Sequence, residues 1–204
     1  MAKQIKKKAF EIGELDQYLF GQGTHYEIYK KMGAHKVKSG RKTGVYFAVW
    51  APHAKRVSVV GDFNDWDTTA DIMTREEPLG IYTLFIPGVE EGMLYKYCIE
   101  TQNGDLLFKA DPFANYAEMR PGTASRVTDI SNLKWTDNAW MENRKTWNQD
   151  ETPVSIYEVH IGSWRRRPGA EDEGFYNYRQ FAREITEYVN CLLYTSDAAD
   201  ELDG

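Results

Sequence analysis

The stretch of sequence that decides the fold is LYKYCIETQNGDLLFK, residues 94–109. From 95 to 99, apolar side chains alternate with polar or small ones, which gives a strand one buried face and one mostly polar face. The residues Asn-Gly-Asp at 103–105 favour a turn, and a second short apolar run follows at 106–109. The stretch therefore predicts two β-strands separated by a turn, in a sheet that buries one face.

Similar short runs, rich in β-branched and aromatic residues, lie on both sides of this stretch. Gly, Pro and Asn residues between them favour turns, and this pattern is typical of an antiparallel sandwich. We therefore predict a mainly β protein, with an immunoglobulin-like antiparallel β-sandwich over residues 37–130. Trp50 is predicted to lie in its core. The predicted strands are 45–50, 56–60, 81–86, 94–100, 106–109 and 125–130.

The residues before the sandwich, 1–36, form a lead segment with helical features. Thr24 and Glu27 have the spacing of a capping box. Ile28 and Met32 follow four residues apart, which is the spacing of one helix face, and the glycine after Met32 is typical of a helix end. The pattern predicts a short amphipathic helix that starts at Thr24.

The residues after the sandwich change in character. Residues 131–153 are polar with scattered Trp residues, and we interpret them as a linker. Residues 154–161 predict a strand with almost no polar face. Apolar residues at helical spacing over 178–189, preceded by Asn177 as a candidate N-cap, predict an amphipathic helix. A strand, a loop and a helix are the first part of a βαβ unit.

Composition limits the classes of partner. The net charge is −6, and the basic Lys6-Lys7-Lys8 run is short, so we expect no nucleic-acid partner. No run approaches the roughly 18 apolar residues of a membrane span, and the amino end lacks a signal-like apolar core, so we expect no membrane contact. Cys98 and Cys191 form neither a disulfide framework nor a metal-ligand spacing. These features predict a cytoplasmic protein without a metal site or cofactor.

Three segments together resemble the glycogen (1,4-α-glucan) branching enzymes. The first runs from Tyr18-Leu19-Phe20-Gly21 to Met32-Gly33-Ala34-His35, and the second contains Val59-Val60-Gly61-Asp62-Phe63-Asn64-Asp65-Trp66. The third is Ile156-Tyr157-Glu158-Val159-His160-Ile161-Gly162-Ser163-Trp164 with the two arginines that follow. The second segment is shared with debranching enzymes and glycogen-binding modules, whereas the first and third are similar to the branching enzymes in particular. The resemblance covers roughly residues 15–189.

The resemblance implies an N-terminal part of such an enzyme. Residues 37–130 would be its accessory carbohydrate-binding sandwich, and residues 154–190 the first strand and helix of its (β/α)₈ barrel. The family cuts an α-1,4 link and transfers the glucan to a 6-hydroxyl, with a carboxylate nucleophile and a Glu acid/base. These groups belong to later barrel strands, so no catalytic residue is expected here and the chain should be inactive alone. Residues 191–204 depart from the family and look like a non-native tail.

The resemblance also implies three sugar-contacting residues. In related glycogen-binding modules, the Trp that ends Gly-x-Phe-Asn-x-Trp stacks on glucose, and Trp66 matches it. Lys96 matches a sugar-contacting Lys, and Phe108 falls near a second stacking position. Asp62, which lies in the same turn-forming stretch, is interpreted as a turn residue and not as a catalytic acid. The expected partner is an α-glucan such as glycogen or a maltooligosaccharide.

One alternative belongs to a different functional class. A freestanding glycogen-binding or regulatory module would carry the same sandwich and the same Trp66. Such a module has no use for the strand and helix predicted after residue 153, and this feature therefore favours the branching-enzyme interpretation.

Overall fold

The described residues fall into two units, which meet in sequence between Lys134 and Trp135. The computed structural model describes residues 10–147, 151, 156–167, 169 and 173–200. The strands are β1 (Gly33–Ser39), β2 (Lys42–Trp50), β3 (Arg56–Gly61), β4 (Thr74–Glu76), β5 (Ile81–Pro87), β6 (Leu94–Glu100), β7 (Leu106–Lys109) and β8 (Ser125–Arg126). The helices are α1 (Glu14–Gly21), α2 (Asn138–Arg144), α3 (Ile161–Trp164) and α4 (Tyr178–Asp200).

The first unit is built from two antiparallel sheets. One sheet has the strand order β1-β2-β5-β4, and the other has the order β3-β6-β7, with β8 also paired to β6. All the strand pairs are antiparallel. This architecture confirms the mainly β, antiparallel prediction, and the predicted bounds of β6 and β7 agree with the structure.

The main core lies between the two sheets. Phe47 of β2 and Tyr95 of β6 meet across it, with their ring centroids 5.1 Å apart in an edge-to-face arrangement. Tyr97, two residues along β6, is also fully buried, as the alternating pattern of residues 95–99 predicts. The single hydroxyl proton of Tyr97 is shared between Asp111 Oδ2 at 3.1 Å and the backbone carbonyl of Ala48 at 3.4 Å, and the second contact links the second sheet to the first.

A second apolar layer covers the outer face of the β1-β2-β5-β4 sheet. Ile12 and Met32 of the lead segment are fully buried there against Tyr46, Ala48 and Ile81. The backbone N–H of Ile12 donates to the Tyr46 hydroxyl at 3.3 Å, and burial raises the pKa of Tyr46 to about 12. Because β2 is buried on both faces, residues 44–49 are buried without interruption. The lead segment therefore packs as part of the sandwich.

The helix of the lead segment does not lie where it was predicted. The structure has α1 ending at Gly21, and only a single 3₁₀ turn, Ile28–Lys30, in the predicted region. The Thr24 hydroxyl donates back to the carbonyl of Leu19 at 3.4 Å and does not cap a following helix. The prediction of a helix starting at Thr24 is thus wrong. Met32 packs in the outer apolar layer, and the glycine after it, at φ +98°, begins β1.

The second unit is helical in its described part. Asn177 caps α4, since its Oδ1 accepts the backbone N–H of Gln180 at 2.9 Å, as predicted. The Trp164 ring lies against the rings of Phe181 and Tyr188 on α4, with centroids 5.4 and 5.7 Å away. These edge-to-face contacts hold α3 against α4.

The strand predicted over 154–161 is not found in the described part of that segment. Residues 156–160 belong to no strand, and the helical turn α3 begins at Ile161. Positions 154 and 155 lie outside the described residues. The physical reason is that a strand needs a neighbouring strand for its backbone hydrogen bonds, and in the second unit no described residue forms one.

Candidate functional site

The turn after β3 carries Trp66 and is held by the side chain of Asn64. The Asn64 Oδ1 accepts the backbone N–H of Gly61 at 2.9 Å, and its Nδ2 donates to the carbonyl of Val59 at 2.9 Å and to Asp71 Oδ2 at 2.7 Å. The backbone N–H of Trp66 returns to the Gly61 carbonyl at 3.1 Å. The Gly-Asp-Phe-Asn stretch is therefore a turn, as predicted.

Trp66 occupies a backbone conformation that few non-glycine residues adopt. Asp65 and Trp66 have φ values of +52° and +62°, in the left-handed region that costs energy for residues with a Cβ. The hydrogen bonds of Asn64 hold the turn in this form. Such a conformation persists only where the surrounding structure enforces it.

The indole of Trp66 is held in its orientation by a hydrogen bond. Its Nε1 donates to Asp62 Oδ1 at 3.3 Å, while Asp62 Oδ2 accepts the backbone N–H of Leu94 at 2.7 Å. The side chain keeps 37% of its surface exposed. Asp62 therefore links the Trp66 ring to the start of β6, and the carboxylate acts as a structural acceptor.

Lys96 lies beside this turn. It pairs with Val60 in the register of β3 and β6, and Val60 immediately precedes the glycine at which the turn begins. The Lys96 ammonium donates to the Thr123 hydroxyl at 2.7 Å. Since Tyr95 and Tyr97 point into the core, Lys96 points to the outer face of the sheet.

Phe108 lies on the same outer face, one strand further from Trp66. It pairs with Cys98 on β6, which has the same parity as Lys96, and about half of its surface is exposed. One strand spacing and two residues along the strand separate the Cα atoms of Phe108 and Lys96 by about 8 Å. The register thus brings Lys96 and Phe108 onto one face and places the turn of Trp66 at the Lys96 end of it.

Sequence reasoning missed two residues of this face. Leu106 pairs with Glu100 and so shares the face of Phe108, which extends the exposed apolar strip along β7. The predicted strand over 106–109 could have revealed it, because residues two apart in a strand share a face. Thr123, the partner of Lys96, gives no sequence signal, because it reaches β6 only through the pairing of β8.

The prediction that Trp50 belongs to the core is wrong. Trp50 is the last residue of β2, and 53% of its surface is exposed. Its Nε1 donates to the Leu79 carbonyl at 2.9 Å, and its ring lies 5.8 Å from that of Phe20. The lead segment therefore covers the indole only in part. The first unit therefore presents two exposed indoles, Trp50 and Trp66.

A buried carboxylate lies behind the outer face. Asp111 Oδ2 accepts the hydroxyls of Tyr95 at 2.7 Å and Tyr97 at 3.1 Å, and its Oδ1 accepts the backbone N–H of Phe113 at 2.8 Å. Burial raises the pKa of Asp111, although these hydrogen bonds act in the opposite direction. With 6% of its surface exposed, Asp111 stabilises β6 through these hydrogen bonds and is not accessible to a substrate.

Comparison with known proteins first defines the class of the domain. Residues 31–114 match the family described as Carbohydrate-binding module 48 (Isoamylase N-terminal domain). This range runs from just before β1 to the residues after β7 and contains the turn of Trp66, Lys96 and Phe108. Residues 31–114 of the first unit are therefore similar to this family of modules.

Three relatives extend the match beyond that domain. The chain is 54% identical over 191 residues to the 1,4-alpha-glucan branching enzyme GlgB of Butyrivibrio fibrisolvens, covering 94% of this chain and 30% of that protein. It is 47% identical to GlgB of Protochlamydia amoebophila (88% and 24%) and 48% identical to that of Rubrobacter xylanophilus (90% and 25%). The chain thus spans a quarter to a third of these relatives. The predicted resemblance to the N-terminal part of a branching enzyme is confirmed.

Within the part of the chain that the structure describes, no helix has the length and apolar character needed to traverse a bilayer.

Proposed function

We propose that this chain is the glucan-binding front part of a 1,4-α-glucan branching enzyme, and that its outer face contacts α-glucan through Trp66, Lys96 and Phe108. The observation that carries the proposal is the oriented, partly exposed indole of Trp66 in a domain that matches carbohydrate-binding module 48. The C–H face of a glucose ring is apolar and can stack on that indole. Preorganisation lowers the entropic cost of such a contact.

The polar groups of the face have distinct roles in this proposal. The Lys96 ammonium has three N–H donors, and among the described residues its hydrogen-bond acceptor is Thr123. The remaining donors can bond glucose hydroxyls next to the stacked ring. Phe108 and Leu106 supply an apolar strip about two residues further along the sheet. A short maltooligosaccharide that runs from Trp66 across β6 towards β7 would contact all of them.

The proposed chemistry belongs to the whole enzyme. Transfer of an α-1,4-glucan segment to a 6-hydroxyl needs two carboxylates across a cleft. Asp62 and Asp111 are engaged in structural hydrogen bonds, and Asp111 is buried. The role proposed for this chain is therefore to hold glucan, not to cut it.

The length of the match favours this proposal over a freestanding module. An alignment of 191 residues extends beyond residues 31–114 and into the second unit. A freestanding binding module would explain the first unit and leave the rest of the alignment without a role. Four further points remain predictions: residues 154–190 as the start of a barrel, the immunoglobulin-like form of the sandwich, the non-native tail and the cytoplasmic location.

Affinity electrophoresis in gels that contain glycogen tests the proposal. We expect glycogen to retard the wild-type chain, and Trp66→Ala to abolish most of that retardation. Trp135→Ala is the matched control, since this indole is 74% exposed and lies in the second unit. Equal retardation of wild type and Trp66→Ala, or equal losses in the two variants, would remove Trp66 from the glucan site. Loss of retardation in Trp50→Ala alone would move the site to the other indole.

A further inference from the structure

A groove of about 460 Å³ lies on the first unit, away from Trp66. It is lined by Tyr29, by β1 near Lys36, by Asn115 and by the residues 128–131 that follow β8. In the first sheet β1 and β4 are the opposite edge strands. The connection that contains Trp66 joins β3 to β4, so the groove and Trp66 lie at opposite edges of the sandwich.

The groove combines flat apolar surface with polar groups. Tyr29 and Ile130 each expose more than half of their surface along it. The structure gives the Tyr29 hydroxyl, the Lys36 ammonium and the Asn115 amide no hydrogen bond to any residue it describes. Three hydrogen-bonding side chains of different type therefore line one groove without protein partners. A few polar groups beside an aromatic wall are characteristic of small-ligand sites.

The charges of the groove select the kind of ligand. Asp129 Oδ1 accepts the backbone N–H of Ser131 at 2.9 Å, and the hydrogen bonds from Ser131, with a smaller effect of Lys36, lower the pKa of Asp129. The Asp129 carboxylate is therefore ionised, and its negative charge balances the positive charge of Lys36. Lys30 also lines the groove, and its charge is balanced by an ion pair with Glu27. An anion would be repelled by Asp129 and a cation by Lys36, whereas a neutral polyhydroxyl ligand can use both as hydrogen-bonding groups.

We propose that this groove is a second binding site for a glucosyl unit, in which Tyr29 stacks on the sugar ring while Lys36, Asn115 and Asp129 bond its hydroxyls. The inference rests on the proposed function, since it takes the ligand to be the same α-glucan. Three strand spacings separate β1 from β4, or about 14 Å, so the two sites hold different glucosyl units. A polymer that occupies both sites is held more tightly than a short oligosaccharide, because the second contact is intramolecular.

Amide chemical-shift mapping of the ¹⁵N-labelled chain tests the second site. Maltotriose is added to about 20 mM, above the roughly millimolar Kd expected for a single weak site. In wild type we expect two separate groups of shifted amides, one around Trp66 and Lys96 and one around Tyr29, Lys36 and 129–131. In Trp66→Ala only the second group should remain, with an unchanged Kd. In the double variant Tyr29→Ala/Asn115→Ala only the first group should remain.

The outcomes separate this inference from the proposed function. If only the amides near Trp66 shift in wild type, the second site is refuted and the proposed function stands. If neither group shifts, both fail. If inorganic phosphate at matched ionic strength shifts the groove amides while maltotriose does not, the groove is an anion site and the inference is wrong. Similar spectra of the variants elsewhere in the sandwich show that the fold is intact.

Discussion

Met32→Ala tests whether the lead segment is part of the sandwich. Met32 is fully buried in the outer layer with Ile12 and Tyr46. Burial of a Met side chain contributes about 1.5–3 kcal/mol, and the cavity left by truncation adds to the loss, so Met-to-Ala changes in cores cost about 2–5 kcal/mol. We expect the free energy of unfolding of the first unit to fall by about 3 kcal/mol.

Urea unfolding, followed by far-UV circular dichroism, measures this loss. With a urea dependence of about 2 kcal/mol per M, a loss of about 3 kcal/mol lowers the midpoint by about 1.5 M. Leu15→Ala is the control, because Leu15 lies on α1 in the same segment with 69% of its surface exposed and should cost no more than about 0.5 kcal/mol. A Met32→Ala midpoint equal to that of Leu15→Ala would refute the outer layer as a source of stability.

Three further predictions follow from the same structure. Burial raises the pKa of Asp111, so the contribution of Asp111 to stability is greatest at low pH and declines as the pH rises through that raised value. The urea midpoint of wild type, measured relative to that of Asp111→Asn, should therefore be lower at pH 7 than at pH 4.5. A higher relative midpoint of wild type at pH 7 would contradict this. Asn64→Ala removes the three side-chain hydrogen bonds that hold the turn, and each buried group left unpaired costs about 1–3 kcal/mol; calorimetry should show weaker maltoheptaose binding, and unchanged binding would show that the turn need not be rigid. The amides of 178–189 should exchange hydrogen much faster than those of β2, because α4 packs on the Trp164 ring whereas β2 is buried on both faces. Equal protection in a monomer would mean that the second unit has further stabilising contacts.

The strand that the sequence predicts best is β6, which has a strong two-residue period because Tyr95 and Tyr97 both face the core. β7 also has the predicted bounds, since it is a short apolar run that follows the Asn-Gly-Asp turn. β1 was missed because its residues, GAHKVKS, are mostly polar and lie at a sheet edge. β4 is only three polar residues long. Edge strands bury little, so their sequences carry little signal.

The parts of the site that lie within one turn are also visible in the sequence. Gly-Asp-Phe-Asn predicts the turn that presents Trp66, and the structure contains it. The bond between Lys96 and Thr123 could not be predicted, because the two residues meet only when β8 pairs with β6. The exposure of Trp50 depends on where β2 ends relative to the lead segment, and local sequence does not encode that.

The measurement that tests the central claim most directly is calorimetric titration of the full chain with maltoheptaose, with wild type, Trp66→Ala and Trp135→Ala compared side by side. We predict weak binding by wild type and Trp135→Ala, with a Kd between about 1 mM and some tens of µM, or roughly −4 to −6 kcal/mol. Trp66→Ala should bind at least about tenfold more weakly, which corresponds to about 1.4 kcal/mol. Equal heats and equal Kd values for wild type and Trp66→Ala would contradict the claim that this indole holds the glucan.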